Sequence, residues 1–572
     1  MKYNLSLLFA AVLVLCSCGG GGLKPLTVEN FTVTPSLLEE SAGQVPFVLS
    51  GRFPEKYMNK KATLEVIPVL MSDETEVVAQ STASFQGERV QGNAQEISYL
   101  VGGAFTLRSA FKPYTSKLED SRMYLLFKAA VGNKQVTLPP LLVAHGVLAT
   151  ASLLPQTLQT SGGVMAADKY QYSIAQQQKA QIKYLIRQTE VRSSELQTTT
   201  VQDFIKTLRE IKTDENAFRI DNIEISSYAS PEGNTKYNEM LAEKRGENAA
   251  KFVGGELDKN KLEAQVSSRY TAEDWEGFQE LVAQSNIQDK ELILRVLSMY
   301  TDPEEREKQI KNLSAAYAEL ADAVLPELRR SRLIINYQTL GRGDDEILQL
   351  ANDDPSKLSA DELLYAGTLT TDEVQKEGYY VSAAQNAPND YRAYNNLASI
   401  ALHRGDLQLA ALYIDEALQR NPTAAEPNAN KALLLLRQGH KGDEADVVNC
   451  LSRATECVNY KELLGYAQIS EGKYGAAAAS LKGVRTEGTA LAQLLSGDYM
   501  GAAETLTLTS RDTGTNYYLR AIIAMRAGQP SLAPAMLTEA FKLDPSLRTK
   551  AAKDAEFYKL RDNAEFKKCL GQ

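Results

Sequence analysis

Few side chains in this chain have chemistry to offer. Three His (His145, His403, His440) and five Cys (Cys16, Cys18, Cys450, Cys457, Cys569) are scattered through 572 residues. They assemble no Cys–His pair, nucleophile elbow or metal-ligand spacing, so we expect no catalytic residue, no metal and no cofactor. An acid pair hidden among 72 carboxylates keeps an enzyme as a lesser alternative. The 62 Lys and Arg leave a net charge of −10 with no basic block, which argues against nucleic acid as a partner. What remains is Arg245 on an amphipathic helix, the pair Arg329-Arg330, and Cys18 just after an apolar run. An Arg fork bonds a carboxylate bidentately, and a Cys behind a membrane-directed leader can carry acyl chains.

That leader sets the expected address. Lys2 is followed by an apolar stretch over residues 5–15, of signal-peptide length and too short to span a bilayer. Leu15-Cys16-Ser17-Cys18 then resembles a bacterial lipobox, with Leu at −3, a small residue at −1 and the Cys that becomes the lipidated first residue. An ordinary secretory signal with an incidental Cys is the other reading. The resemblance implies a signal peptide over 1–17, lipid attachment at Cys18 and a Gly-rich tether over 18–25. Gly19 rather than Asp after the Cys fits outer-membrane sorting. The acidic cluster that sends some Bacteroidota-type lipoproteins to the cell surface is missing, which favours the periplasmic face.

Residues 26–155 read as a β-sandwich, Ig-like in class. Phe31-Thr32-Val33-Thr34, Pro46-Phe47-Val48-Leu49-Ser50-Gly51 and Ala62-Thr63-Leu64-Glu65-Val66-Ile67 supply strands, as do residues 123–129 and 136–143. Pro35, Pro68 and Pro139-Pro140 fit strand ends or edges. His145, alone in an apolar stretch, is expected to be packed rather than a ligand.

Residues 165–340 alternate strand and helix. Ile182-Lys183-Tyr184-Leu185-Ile186 and Asn222-Ile223-Glu224-Ile225-Ser226-Ser227-Tyr228 read as strands. Between them a helix opens at a capping box with Thr200 as the cap and carries Val201, Phe204, Ile205, Leu208 and Ile211 at helical spacing. A second helix carries Asn238, Leu241, Ala242 and Arg245, and a last strand follows Arg329-Arg330. Strand, turn ending in Gly233, Asn238, Leu241, Ala242, Arg245 and the late Arg pair together resemble the OmpA-like domain, which binds peptidoglycan.

The resemblance implies a pocket in which an acid grips the ammonium of diaminopimelate in the stem peptide and Arg245 grips its carboxylate. The candidate residues are Ser230, Asn238, Arg245, Arg329 and Arg330. The family acid falls at position 230, where this chain has Ser230, with Glu232 two residues on. A hydroxyl in place of a carboxylate loses about 1–3 kcal/mol of charge-assisted contact. The other reading of Arg245 is an exposed Arg on an amphipathic helix. A helical insertion at about 271–328, with Glu273-Asp274-Trp275-Glu276-Gly277 and the only Trp, lengthens the domain.

Residues 358–548 repeat a pattern. Gly405, Ala410, Ala417 and Pro422 are spaced 5, 7 and 5 apart, as are Gly528, Ala533, Ala540 and Pro545. This resembles the tetratricopeptide repeat, a helical hairpin of 34 residues stacked into an α-solenoid. A generic array of α-hairpins is the bland alternative. Residues 549–572 are expected to form a capping helix. Tyr413, Tyr460, Tyr466, Tyr474, Tyr499, Tyr517 and Tyr518 read as inter-helix packing or groove surface. His403 and His440 sit near ends of first helices, where a cation suits the dipole. Cys450 and Cys457 read as small buried apolar residues that could stack on one helix face.

The fold class expected is therefore multidomain: β-sandwich, central α/β OmpA-like domain, C-terminal solenoid. The function expected is that of a non-enzymatic, lipid-anchored outer-membrane lipoprotein facing the periplasm, a tether and scaffold. It would hold the membrane by lipid, the peptidoglycan stem peptide by the OmpA-like domain, and a protein partner in the repeat groove. A protein-only scaffold, accessory to envelope secretion, fimbrial or outer-membrane assembly and without wall binding, is the alternative that Ser230 favours.

Overall fold

The structure is a computed structural model that describes residues 23–572, apart from 160, 232–233, 288–289, 313–319, 440–442 and 510. The leader, Cys18, Glu232, Gly233 and His440 lie outside the described residues. The chain divides into two compact units, Met1–Asp168 with Pro355–Gln572, and Lys169–Asp354. The α/β unit is thus inserted between the two parts of the other, and residues 165–168, expected to open it, belong to its host.

In the first unit the β-rich region is built from two-residue alternation. Val45, Phe47, Leu49 and Phe53 of strand Val45–Phe53 point inward, and their neighbours are half-buried or exposed. This strand lies between Phe31–Thr34 and Gly103–Phe111 in an antiparallel three-stranded sheet. A larger sheet centres on the pair Ala62–Met71 and Arg122–Val131. The two sheets share one apolar core, where Phe53 meets Phe85 edge-on at 4.8 Å and Phe85 meets Phe105 at 4.6 Å. The run 136–143 is two strands, Lys134–Val136 and Leu141–His145, because Pro139 and Pro140 cannot donate to a ladder. His145 is exposed rather than packed, and stacks on Tyr558 at 5.7 Å.

Six helical hairpins follow among the described residues: Ala360–Leu369 with Glu373–Asn386, Tyr391–Arg404 with Leu407–Arg420, Ala425–Gln438 with Glu444–Arg453, Tyr460–Ser470 with Tyr474–Ser480, Glu487–Ser496 with Tyr499–Thr507, and Gly514–Arg526 with Ala533–Leu543. The repeat pattern has a local cause. Gly405, Gly439, Gly472, Gly497 and Gly528 take φ between 62° and 90° where first helices end, a left-handed turn that other residues resist. Ala410, Ala417, Ala477, Ala533 and Ala540 are fully buried, and their small side chains let the helices of each hairpin close up.

Tyr466 and Tyr518 are core residues of this array. Cys457 lies past the end of helix Glu444–Arg453, so it shares no helix face with the buried Cys450. The expected capping helix is three pieces, Leu547–Lys553, the 3-10 turn Ala555–Leu560 and Ala564–Leu570. Asp554 and Asn563 divide them, each starting a new turn by accepting main-chain N–H groups.

The β-rich region and the solenoid are bonded directly. Arg526 Nη2 donates to Glu556 Oε1 at 2.6 Å, to Glu39 Oε1 at 3.1 Å and to Thr150 Oγ1 at 3.2 Å. Lys550 pairs with Glu119 at 3.3 Å and Arg561 with Asp120 at 2.9 Å.

The second unit is a four-stranded sheet in the order Ser173–Lys183, Arg330–Leu340, Phe218–Tyr228, Val266–Thr271. Only the last pair is parallel. Helices Thr199–Thr213 and Thr235–Asn260 pack their apolar stripes on it, through Phe204, Leu208, Ala249 and Val253 against Ile182, Ile223, Ile225 and Leu333. The first strand ends at Lys183, so Leu185 and Ile186 fall outside it. Thr198, not Thr200, is the cap position, because the helix begins two residues earlier than expected, at Thr199, and the Thr198 side chain makes no capping bond to the helix. The insertion folds as helices Trp275–Gln284, Lys290–Met299, Pro303–Asn312 and Leu325–Leu328 around its own core of Phe278, Val282, Ile293, Leu297 and Leu328.

One buried carboxyl makes the solenoid pH-sensitive. Glu487 opens helix Glu487–Ser496 and accepts from Thr513 Oγ1, and burial pushes its pKa up from 4.5 to about 7. The folded chain then holds this proton more tightly than the unfolded chain. Stability conferred by the protonated form is complete below about pH 4.5, falls as pH rises, and levels off above about pH 7, a total loss on the order of 3 kcal/mol. Glu487→Gln keeps the acceptor and removes the charge. Urea denaturation at pH 5 and pH 8 should show the variant more stable than wild type at pH 8 and less pH-dependent across that range, and superimposable curves would refute the assignment.

Candidate functional site

The sequence-predicted residues fall into two groups. Arg245 lies on the sheet-facing side of helix Thr235–Asn260 and is 1% exposed. Its Nε donates to the Gln188 carbonyl at 3.0 Å, Nη1 to the Tyr228 carbonyl at 2.9 Å and Nη2 to the Leu185 carbonyl at 3.4 Å. The guanidinium sits 5.0 Å from the centre of the Tyr184 ring. The Tyr184 hydroxyl meets Ser331 Oγ at 3.0 Å, which meets Ser227 Oγ at 2.6 Å, and burial pushes this phenol up to about 12. An exposed Arg was one expectation and a ligand fork the other. The geometry gives a buried Arg whose fork ties two stretches of main chain together, the turn 185–188 and the end of the strand at Tyr228.

Ser230, Asn238, Arg329 and Arg330 gather around the start of the insertion. Arg329 Nε donates to Ser230 Oγ at 3.3 Å, and Asn238 Nδ2 donates to the Ser230 carbonyl at 3.3 Å and lies 3.4 Å from Glu273 Oε1. Arg330 Nη2 pairs with Asp274 Oδ2 at 2.9 Å, both side chains buried. Asp274 Oδ1 also caps the first insertion helix by accepting from Gly277 N at 2.9 Å, and Glu273 Oε2 accepts from Trp275 Nε1 at 2.9 Å. The Glu-Asp-Trp motif is therefore a structural clasp. Its carboxylates answer the polar groups that the resemblance would assign to a ligand.

A second site was missed in the sequence. Segment 161–168 forms neither helix nor strand and lies against the first helices Tyr391–Arg404 and Ala425–Gln438. Asn430 Oδ1 accepts from Val164 N at 2.7 Å and its Nδ2 donates to the Val164 carbonyl at 2.8 Å. Asn396 repeats the pairing on Ala166, accepting from its N at 2.7 Å and donating to its carbonyl at 3.1 Å. Asn395 Nδ2 adds a bond to the Val164 carbonyl at 3.0 Å, and Asn430 Nδ2 donates to Asn395 Oδ1 at 2.9 Å.

A carboxamide presents one acceptor beside one donor, which matches the N–H and C=O of a residue in extended chain. Asn396 and Asn430 are 34 residues apart, one repeat, and they read residues two apart on the segment. Arg437, buried, reaches the Gln159 carbonyl at 3.3 Å and Gln159 Oε1 at 3.1 Å, and burial lowers its pKa. Just before the segment, Leu153, Leu154 and Leu158 are buried in the solenoid core. The available signal was three Asn inside helices, where Asn is a poor helix former without a buried partner.

No helix among the described residues is long and apolar enough to cross a membrane. No family model matches the chain, and no curated protein matches it. Among solved structures it is similar to a tetratricopeptide repeat protein from Parabacteroides merdae, at 18% identity over 40% of this chain and 91% of that chain, TM-score 0.27. It is also similar to yeast Tom70, at 13% identity over 67% of this chain and 78% of that chain, TM-score 0.23. The helical-repeat architecture of the C-terminal region stands on its own six hairpins.

The clasp is testable with the single Trp, which sits in it. Asp274→Ala leaves the Arg330 charge buried without its carboxylate, which costs about 3–5 kcal/mol. Denaturation followed by Trp275 fluorescence should shift to markedly lower denaturant, and an unchanged midpoint would show the pair to be incidental.

Proposed function

We propose that the protein is a non-enzymatic scaffold of a bacterial cell envelope, held to the outer membrane by lipid on Cys18, facing the periplasm, and recruiting protein partners through its helical repeats. The leader and lipobox support the address. The stacked hairpins, with an Asn-lined face that pairs with extended main chain, support protein binding. The strand order of the α/β unit supports the OmpA-like reading of its fold.

Two versions of this scaffold differ on the cell wall. In one the α/β unit grips the peptidoglycan stem peptide through Arg245, with Ser230 standing where the family has an acid. In the other the unit keeps the fold without the ligand, and the protein serves an envelope secretion, fimbrial or outer-membrane assembly machine. The observation that carries the choice is Arg245, buried and bonded to three main-chain carbonyls. A fork so engaged leaves the ligand carboxylate without its main partner, so we favour the protein-only scaffold.

Sedimentation with purified peptidoglycan tests this version. The full chain should pellet no more with peptidoglycan than with cellulose, and Ser230→Asp should not change that, because the new carboxylate would sit beside Arg329. Specific pelleting that Ser230→Asp strengthens would restore the wall-binding version. For the address, cells fed an alkyne fatty acid should label the wild-type chain and not Cys18→Ser. Equal labelling of both would move the lipid elsewhere.

A further inference from the structure

The Asn face of the solenoid is already occupied by the chain itself. We propose that segment 161–168 is a releasable internal ligand, and that the face it covers receives an extended, small-residue segment of a partner protein in its place. This rests on reading the repeats as protein-binding, and adds what is bound and how access is controlled.

Three observations carry it. First, recognition is of main chain: Asn430 and Asn396 each bond both the N–H and the C=O of one residue, Val164 and Ala166, at 2.7–3.1 Å. Such a site accepts any extended chain whose side chains fit. Second, the side-chain demands are narrow and legible. A Cβ on Gly163 would come within 2.8 Å of Asn430 Oδ1 and 2.9 Å of Ser399 Cα, so that position takes only Gly. Ala166 is 4% exposed, so its position takes a small apolar residue, whereas Met165 is 41% exposed and its position is permissive. Third, the chain is divided into an anchor and a latch. Leu153, Leu154 and Leu158 are sunk in the solenoid core, while Gly162, Met165 and Ala167 just beyond lie exposed. The anchor can stay while the latch opens.

Val164 is half-buried against the solenoid core, so the occupant is a peptide of the pattern Gly-apolar-x-small apolar, competing with residues 163–166. Selection by length and smallness, with main-chain bonds supplying the affinity, is the logic of strand-like recognition, here on helices rather than on a sheet edge. The latch raises the threshold for a partner, because the partner must displace bonds of the same kind as those it forms.

The test uses the full chain and a fluorescent synthetic peptide of residues 161–168, Ser-Gly-Gly-Val-Met-Ala-Ala-Asp. In the wild type the resident latch should exclude it. Gly163→Leu, which the face cannot accommodate, should open the latch and tighten peptide binding by at least about tenfold in fluorescence anisotropy. Adding Asn396→Ala with Asn430→Ala to that variant should abolish the gain. An opened chain that binds no better than wild type, or a gain that survives loss of both Asn, overturns the proposal.

Should Gly163→Leu fail to fold, amide exchange in the wild type decides. The Val164 and Ala166 amides should exchange at least about 100-fold faster than the solenoid core. Exchange only together with the core would make the segment a fixed part of the fold and end the idea. Either failure leaves the scaffold reading to be judged by its own sedimentation and labelling results, because partners can dock on other faces of the repeats.

Discussion

The first unit depends on burying the stretch between its β-rich region and the inserted α/β unit inside its own solenoid. Leu153, Leu154 and Leu158 enter the apolar core of the hairpins, and Asn395, Asn396, Asn430 and Arg437 take up the main chain beside them. Without that stretch these side chains would have to take their hydrogen bonds from water instead. With it, they are satisfied and the β-rich region is fastened to the repeats. Arg526 completes the join: a single guanidinium bonds Glu556 of the terminal segment, Glu39 of the β-rich region and Thr150 at the head of the threaded stretch. A buried charge of this kind is tolerated because Glu556, itself buried, neutralises it.

What the sequence made legible is what local physics decides. Gly405 and Gly528 end helices because their own backbones take left-handed φ, and Ala410 and Ala540 permit close helix packing because of their own size. The repeats could therefore be read from spacing alone. Alternating runs such as Phe31-Thr32-Val33-Thr34 became strands for the same reason. Strand Gly103–Phe111 alternates too, through Phe105, Leu107 and Phe111, but the intervening Gly, Ser and Arg masked it. Strand Ser173–Lys183 escaped recognition except at Ile182 and Lys183 because it pairs with a single neighbour at the sheet edge. With so little buried on either face, nothing enforces apolar alternation, and its run of Gln residues carries no pattern.

The illegible part is non-local. Position on a helix can be read for Arg245, but not that the carbonyls of Leu185 and Gln188, sixty and fifty-seven residues earlier, would close over it. Nor could the Glu-Asp-Trp motif be seen to reach across fifty-six residues from Asp274 to Arg330. The partners of Asn396 and Asn430 lie 230 and 266 residues away. Arg245 and Arg330 can be singled out from the sequence as chemically able, Asn396 and Asn430 cannot, and in each case the partner is the chain's own backbone or carboxylate. A motif specifies a capability, and the fold decides whether that capability faces a ligand or holds the protein together.

That distinction separates the two clusters in this protein. Around Arg245 the guanidinium itself is buried over Tyr184, beside the linked hydroxyls of Ser331 and Ser227, while the loop 185–188 that closes over it is exposed on its outer side. Removing either the loop or the Tyr228 carbonyl would leave a buried charge short of hydrogen bonds, so the cluster has the character of a rivet. Along the Asn face the bonded main chain is open on its outer side at Gly162, Met165 and Ala167, and each Asn pairs with one residue through two parallel bonds that any extended chain can supply. A rivet and a receptor can use the same hydrogen bonds; what differs is whether the group left behind when the partner leaves is a buried charge or a neutral carboxamide. By that criterion the exchange of one extended segment for another, as proposed above, belongs to the repeat face that the chain's own segment now covers.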